Sequence, residues 1–335
     1  MMIVMSFAVA AALAASPVTN APTTAQVLPT RFEAGHFYAV PETTDGNILR
    51  LLVDTGGGGD GGMYWVSGTL AQQLHLKTST CKMDGNDMPV GSLPKYKPGK
   101  GLPAPLPGPC GEALLINSKA VGNTGQLGAD YLSGRVWTFN YPGQQLVLEA
   151  ASWHADPAAH SSTLGFPRNK QGQLEGAFPR ITIRVDGQAL DMLLDTGATA
   201  HPTIAGAKAS GTPTVAGTGA TSYITTSVLE RWHKAHPDWR VVEQGDDIAA
   251  PRFMARLIEV PKVEIAGWSV GPVWFTERPD PNFHDFMSSM MDKRVEGAVG
   301  ANVFDHFVMT LDYPHSTAYF SCVRGCVAAT PPPAP

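Results

Sequence analysis

The sequence predicts an all-β protein built as two pseudo-symmetric lobes, and three observations carry that expectation. The tripeptide Asp54-Thr55-Gly56, reached through an apolar run, returns as Asp195-Thr196-Gly197, and each aspartate lies nine residues after an Asp-Gly turn, Asp45-Gly46 or Asp186-Gly187. A second landmark also repeats: GQLGADYLSGRVWTFNYPGQQLVL from Gly125 aligns without a gap on GAVGANVFDHFVMTLDYPHSTAYF from Gly297, pairing Gly128 with Gly300, Asp130 with Asn302 and Thr138 with Thr310. Composition is the third. Charged residues make up only 16 % while Gly (35) and Pro (28) are abundant, which favours short strands and turns over long surface helices. Two copies in the same order make a pair of lobes rather than a solenoid.

Taken along the chain, residues 1–15 form an apolar stretch ending in small residues, expected to be a signal peptide too short to anchor in a membrane. Residues 16–30, rich in Pro, Thr and Ala and uncharged, read as a flexible linker. The first lobe is expected over 31–152, the second over 153–326, and a disordered Pro-rich tail over 327–335. Halves of roughly 150 residues are large enough to bury a core. In each half an apolar strand runs from the Asp-Gly turn into the aspartate, as in a β-hairpin that delivers a carboxylate at a strand end. A helix should follow each aspartate loop, in SGTLAQQLHL from Ser67 and TTSVLERWHKAH from Thr225, each opened by a capping hydroxyl. The sequence YWVSGTLAQQL from Tyr64 parallels YITTSVLERWH from Tyr223. A shorter helix should follow each Gly-x-x-Gly, and strands are expected at Val136, Val308 and Ile181.

The net charge of −5 gives no footprint for nucleic acid. The four cysteines suit an oxidising compartment. Cys81 and Cys110 bracket a Pro/Gly-rich excursion, and Cys322 and Cys326 flank Gly325. Pairing within each neighbourhood is the simplest of three connectivities. No zinc spacing is present, and His233 and His236 read as a solvated helix face because no carboxylate motif completes a metal site. Trp65, Trp137, Trp232 and Trp274 read as packing residues, with a role in a substrate pocket as the alternative. The glycine run 57–62 lacks the Lys-Ser or Lys-Thr of a phosphate-binding loop. Within it Asp60 places a charge that could act on the dyad.

The chemistry follows if the repeat brings the two strand ends together. Carboxylates sharing one site cannot both ionise cheaply, so Asp54 and Asp195 hold one proton between them over a wide pH range. One then acts as general base on a water while the other, protonated, polarises a carbonyl. Glycine after each Asp-Thr lets the backbone turn sharply and present its N–H.

In these residues the sequence resembles the aspartyl proteases, particularly their retropepsin-like branch. Asp54-Thr55-Gly56 and Asp195-Thr196-Gly197 are answered by Leu127-Gly128-Ala129-Asp130 and Val299-Gly300-Ala301-Asn302, over nearly the whole span 37–320. The resemblance implies two acid-protease-type β-barrel lobes meeting at a cleft, with Asp54 and Asp195 as catalytic dyad and Thr55 and Thr196 bonded across the interface. Gly56, Gly197, Gly128 and Gly300 would support the site. The residue after the tripeptide is Gly57 in the first lobe and Ala198 in the second, where pepsin-like enzymes often place a hydroxyl. A flap over the cleft is expected in the Cys81–Cys110 excursion or in the insertion that follows His201. The expected protein is a periplasmic or secreted monomeric aspartic endopeptidase acting on a peptide or protein substrate, with no cofactor, metal, nucleic acid or membrane anchor. The alternative is a non-catalytic module that binds a peptide or envelope component on the same scaffold.

Overall fold

The computed structural model describes residues 22–83 and 85–329, so the expected signal peptide and most of the Pro-rich tail lie outside the described residues. Two large mixed sheets and one shared sheet make up the architecture.

The first large sheet has eight strands, and its centre sets the site. Leu51–Val53 lies parallel to Gly125–Leu127, with Val53 opposite Leu127. Gly125–Leu127 is antiparallel to Trp65–Ser67, which in turn is parallel to Ala113–Asn117. The ten-stranded second sheet repeats this centre. Gln188–Leu194 runs parallel to Gly297–Val299, Ser222–Thr225 pairs antiparallel with Gly297–Val299, and Val273–Arg278 is parallel to Ser222–Thr225. The duplication read from the sequence is therefore a duplication of strand order and direction. Its register differs from the sequence alignment by one residue, because Trp65 faces Gln126 and Tyr223 faces Ala298, which makes Trp65, and not Tyr64, the counterpart of Tyr223.

The third sheet ties the halves together. Val136–Asn140 of the first half is antiparallel to Phe307–Asp312 of the second, with Thr138 opposite Thr310 and their hydroxyls 2.8 Å apart. Around this sheet Phe37, Trp137, Phe139, Tyr141, Phe304, Phe307, Tyr313 and Phe320 form part of one continuous core, each 2 % exposed or less. Aromatic rings of both halves are therefore buried in a single cluster, so the lobes share their interior.

Turns and helices follow local chemistry. The Asp186-Gly187 turn, with φ of 49° and 73°, closes a tight hairpin between Arg180–Val185 and Gln188–Leu194. Asp45-Gly46 sits instead in a wider loop, closed by Thr43 N–H on Asn47 O at 2.8 Å. Ser67 caps the helix Gly68–Gln73, its hydroxyl accepting from Leu70 N at 3.1 Å. Thr225 precedes Thr226–Ala235 but makes no such bond. Short helices follow each Gly-x-x-Gly, at Ala129–Leu132 and Ala301–Phe304.

Three expectations need correction. The segment 16–30 is not linker to its end, because Gln26–Val27 pairs with Gln145–Leu148 and Leu28 is buried. Nor does the tail begin at 327, since Val327–Ala328 pairs with Trp268–Val270. The insertion after His201 is ordered onto the second lobe: its helix Ile204–Ser210 packs so closely that a Cβ on Gly206 would overlap Gly245 O. Cysteines pair as Cys81–Cys110 and Cys322–Cys326.

Candidate active site

Both aspartates leave the ends of equivalent strands and are held by equivalent backbone bonds. Asp54 N–H donates to Leu127 O at 3.0 Å and Asp195 N–H to Val299 O at 2.9 Å. Each Oδ1 then accepts from the glycine two residues on, Gly56 N at 2.8 Å and Gly197 N at 2.9 Å. The glycines are required by proximity. A Cβ on Gly56 would stand 2.6 Å from Asp195 Oδ1, and one on Gly197 would stand 2.5 Å from Asp54 Oδ1. Each glycine therefore faces the carboxyl of the other lobe, and the two carboxyls lie side by side.

The threonines lock this arrangement. Thr55 Oγ1 donates to Leu194 O at 2.6 Å and accepts from Thr196 N at 3.0 Å; Thr196 Oγ1 donates to Val53 O at 3.0 Å and accepts from Thr55 N at 3.1 Å. Both are buried, so these four bonds between lobes meet no competition from water.

Gly128 and Gly300 crowd the aspartate loops from behind. A Cβ on Gly128 would overlap Gly58 O and lie 2.8 Å from Gly57 O; one on Gly300 would overlap Thr221 O and lie 3.1 Å from Ala198 Cβ. Ala129 N–H bonds Gly57 O at 2.9 Å, so the glycine run is tied to the Gly-x-x-Gly turn and does not stand free.

Burial pushes both carboxyls above the ordinary carboxylate range, Asp195 well above it, where the neighbouring Asp54 charge adds to desolvation. Asp60 is not among the groups that move either of them. Its charge acts on Asp130, which burial first and Asp60 second raise to about 6.

Two cavities flank the pair. One of about 540 Å³ opens on Asp195 and is walled by Leu193, Tyr223, Arg278, Phe283, Phe286 and Met287. The other, of about 710 Å³, lies beyond Gln126 and is walled by Gly58, Trp65, Met88, Pro89, Leu115 and Ile116. Its Met88 and Pro89 belong to the hairpin Thr78–Met83 and Asn86–Ser92, the one carrying Cys81. Of the two segments expected to supply a flap, only this one lines a cavity beside the dyad. Together the cavities make a mostly apolar trough with the carboxyls at its middle.

Sequence reasoning missed two parts of this site. Gln126, 8 % exposed, donates through Nε2 to Asp54 Oδ2 and accepts at Oε1 from Trp65 Nε1 at 2.9 Å. A lone polar residue inside the apolar strand Gly125–Leu127, aligned on Ala298, was its available signal. The wall at Asn282–Phe286 and Met287–Met290, a π turn followed by a 3₁₀ turn, lies in an insertion with no counterpart in the first lobe. The other singled-out residues pack: Trp137 and Trp232 are buried, and His236 stacks on Trp239 and bonds Asp186 at 2.8 Å. Among the described residues no cluster of His, Cys, Asp or Glu could hold a metal ion.

No protein-family model and no curated protein matches this chain. Among solved structures it is similar to basic 7S globulin from soybean, at 13 % identity, with 90 % of this chain and 95 % of that one covered and a TM-score of 0.43. It is similar to EDGP at 10 % identity, covering 92 % and 96 %, TM-score 0.48. An aspartic proteinase from Irpex lacteus is likewise similar at 10 % identity, covering 90 % and 98 %, TM-score 0.48.

Proposed function

We propose that the chain is an aspartic endopeptidase, with Asp54 and Asp195 as its catalytic pair. The observation that carries this reading is the mutual placement of the carboxyls. They come from positions 141 residues apart, are held side by side by symmetric backbone and threonine bonds, and open on a trough that fits an extended peptide.

In the reaction a water sits against both carboxyls. Its proton passes to the ionised aspartate as its oxygen bonds to the peptide carbonyl carbon, and the protonated aspartate gives its proton to the carbonyl oxygen. The pair keeps one proton throughout. When the intermediate collapses, the C–N bond breaks and the amine leaves with a proton from the newly protonated aspartate. Gly56 and Gly197 N–H groups hold each carboxyl in plane, and the four threonine bonds keep the spacing.

Tyr223, Phe283, Phe286 and Met287 on one side, and Trp65, Met88, Leu115 and Ile116 on the other, favour substrates with large apolar residues flanking the scissile bond. The described residues include no helix long and apolar enough to cross a membrane, and both disulfides suit an oxidising compartment, so we place the enzyme outside the cytoplasm. Both aspartates come from one chain, which supports activity as a monomer. Ala198 after the second tripeptide supports the retropepsin-like branch within the family.

The test is cleavage of an unstructured protein from acid to neutral pH, with and without pepstatin, a peptide inhibitor of aspartic proteases. Hydrolysis with a bell-shaped profile, abolished by the inhibitor, is expected. Binding of peptides with no cleavage at any pH would transfer the reading to a binding module.

A further inference from the structure

The two lobes treat their aspartates differently, and the difference is one amide. Gln126 donates to Asp54 Oδ2, whereas the same register position in the second lobe is Ala298, which has nothing to donate. The amide cannot point the other way. Trp65 Nε1–H donates to Gln126 Oε1 at 2.9 Å, and an indole nitrogen has no acceptor capacity, so the amide oxygen faces Trp65 and its NH₂ faces the carboxylate. Gly57 makes the room, since a Cβ there would overlap Gln126 Nε2 and lie 2.6 Å from Asp54 Oδ2. In the second lobe Tyr223 takes the place of Trp65, and its hydroxyl is engaged by Thr199, donating to the carbonyl at 2.5 Å and accepting from the N–H at 2.7 Å.

We propose that Gln126, oriented by Trp65, is a positioning residue that keeps Asp54 the ionised member of the pair and thereby assigns the shared proton to Asp195. A donated hydrogen bond stabilises a carboxylate over its acid form. Asp54 is then the base that takes the water proton, and Asp195 the acid that protonates the carbonyl. The catalytic meaning rests on the hydrolase reading. The placement of the proton does not.

The other titratable and charged groups around the pair are few. Tyr313 lies on the Asp54 side, and Tyr141 and Tyr223 lie on the Asp195 side; burial holds all three hydroxyls above their ordinary range. Arg278 walls the cavity beside Asp195 and is paired with Asp246. His36 Nε2 lies 3.2 Å from Ala198 O, and burial lowers its pKa. Asp130 and Asp60 lie by the glycine run. Of these, Asp130 and His36 titrate within an acid-to-neutral profile, so D130N and H36Q backgrounds serve as controls.

The variants are Q126L, which keeps the bulk and removes the donor, and W65F, which frees the amide to turn. Losing a hydrogen bond to a charged group should raise the acid limb of the hydrolysis profile in Q126L by about 1 to 2 pH units. The alkaline limb should stay in place, because Asp54 is ionised on both sides of it. W65F should shift the acid limb the same way by less. An acid limb within about 0.3 unit of wild type in folded Q126L, or an equal shift of both limbs, would overturn the proposal. If Q126L does not fold, Q126M and W65F carry the same comparison. Carboxyl ¹³C NMR titration needs no turnover: Asp54 should ionise first, and at higher pH in Q126L. Asp195 ionising first overturns the proposal whether or not the protein cleaves peptides.

Discussion

Replacing Thr196 by valine removes one hydroxyl and keeps the shape. In the folded protein that hydroxyl donates to Val53 O at 3.0 Å and accepts from Thr55 N at 3.1 Å, at a site 1 % exposed. Its loss strands a buried carbonyl and a buried N–H, each costing about 1 to 3 kcal/mol, so Thr196→Val should destabilise the protein by about 2 to 6 kcal/mol. Thr196→Ser keeps both bonds and loses one methyl, for about 1 kcal/mol. Thr55→Val should match Thr196→Val, because Thr55 makes the mirror-image pair of bonds. Urea unfolding followed by tryptophan fluorescence reads all three variants. The reasoning is refuted if Thr196→Val stays within about 0.5 kcal/mol of wild type, or if Thr196→Ser loses as much as Thr196→Val.

Gly128→Val should fold poorly, since a side chain there overlaps the Gly58 carbonyl from a fixed strand; the cost is about 3 kcal/mol or more, read as loss of soluble protein or of thermal stability. Asp130→Asn, which copies Asn302 of the second lobe, tests the carboxyl raised from 3.8 to about 6. In that window the native state binds more protons than the unfolded chain, so wild-type stability falls as pH rises from about 4 to about 6, by at most about 3 kcal/mol. The Asn variant should lack that fall, and urea midpoints at pH 4 and pH 7 that drop equally in both proteins would contradict it. Removing the Cys81–Cys110 bridge, with a separation of 29, should cost about 3.5 kcal/mol, against about 2 kcal/mol for Cys322–Cys326, with a separation of 4; denaturant midpoints of the paired Ser variants give the order.

The parts of this site legible in the sequence are those with a local cause. Asp-Thr-Gly is written twice because each of its three residues has a backbone or side-chain task that only its own type performs. Gly128 and Gly300 stand out because no side chain fits against the opposing carbonyls. The hairpin at Asp186-Gly187 needs left-handed backbone at both residues, which its turn residues tolerate. What escaped depends on distant partners. Gln126 matters only because Trp65 and Asp54 lie on either side of it, a relation set by register between strands some 60 residues apart. Gln26–Val27 has the composition of linker and becomes strand because the edge at Gln145–Leu148 receives it. Val327–Ala328 likewise pairs with Trp268–Val270 despite lying beside the Pro-rich tail. The one-residue slip between Tyr64 and Trp65 arose because both are aromatic, and only sheet pairing distinguishes them.

The most direct test of the central claim is the rate of peptide hydrolysis by Asp54→Asn, Asp195→Asn and the double variant, each with its thermal unfolding. An amide keeps the shape of the carboxyl and cannot take up or pass on the shared proton. Each single change should therefore abolish cleavage, the double should lose no more than either single, and all three should unfold close to wild type. Full hydrolysis retained by either single variant would contradict the account.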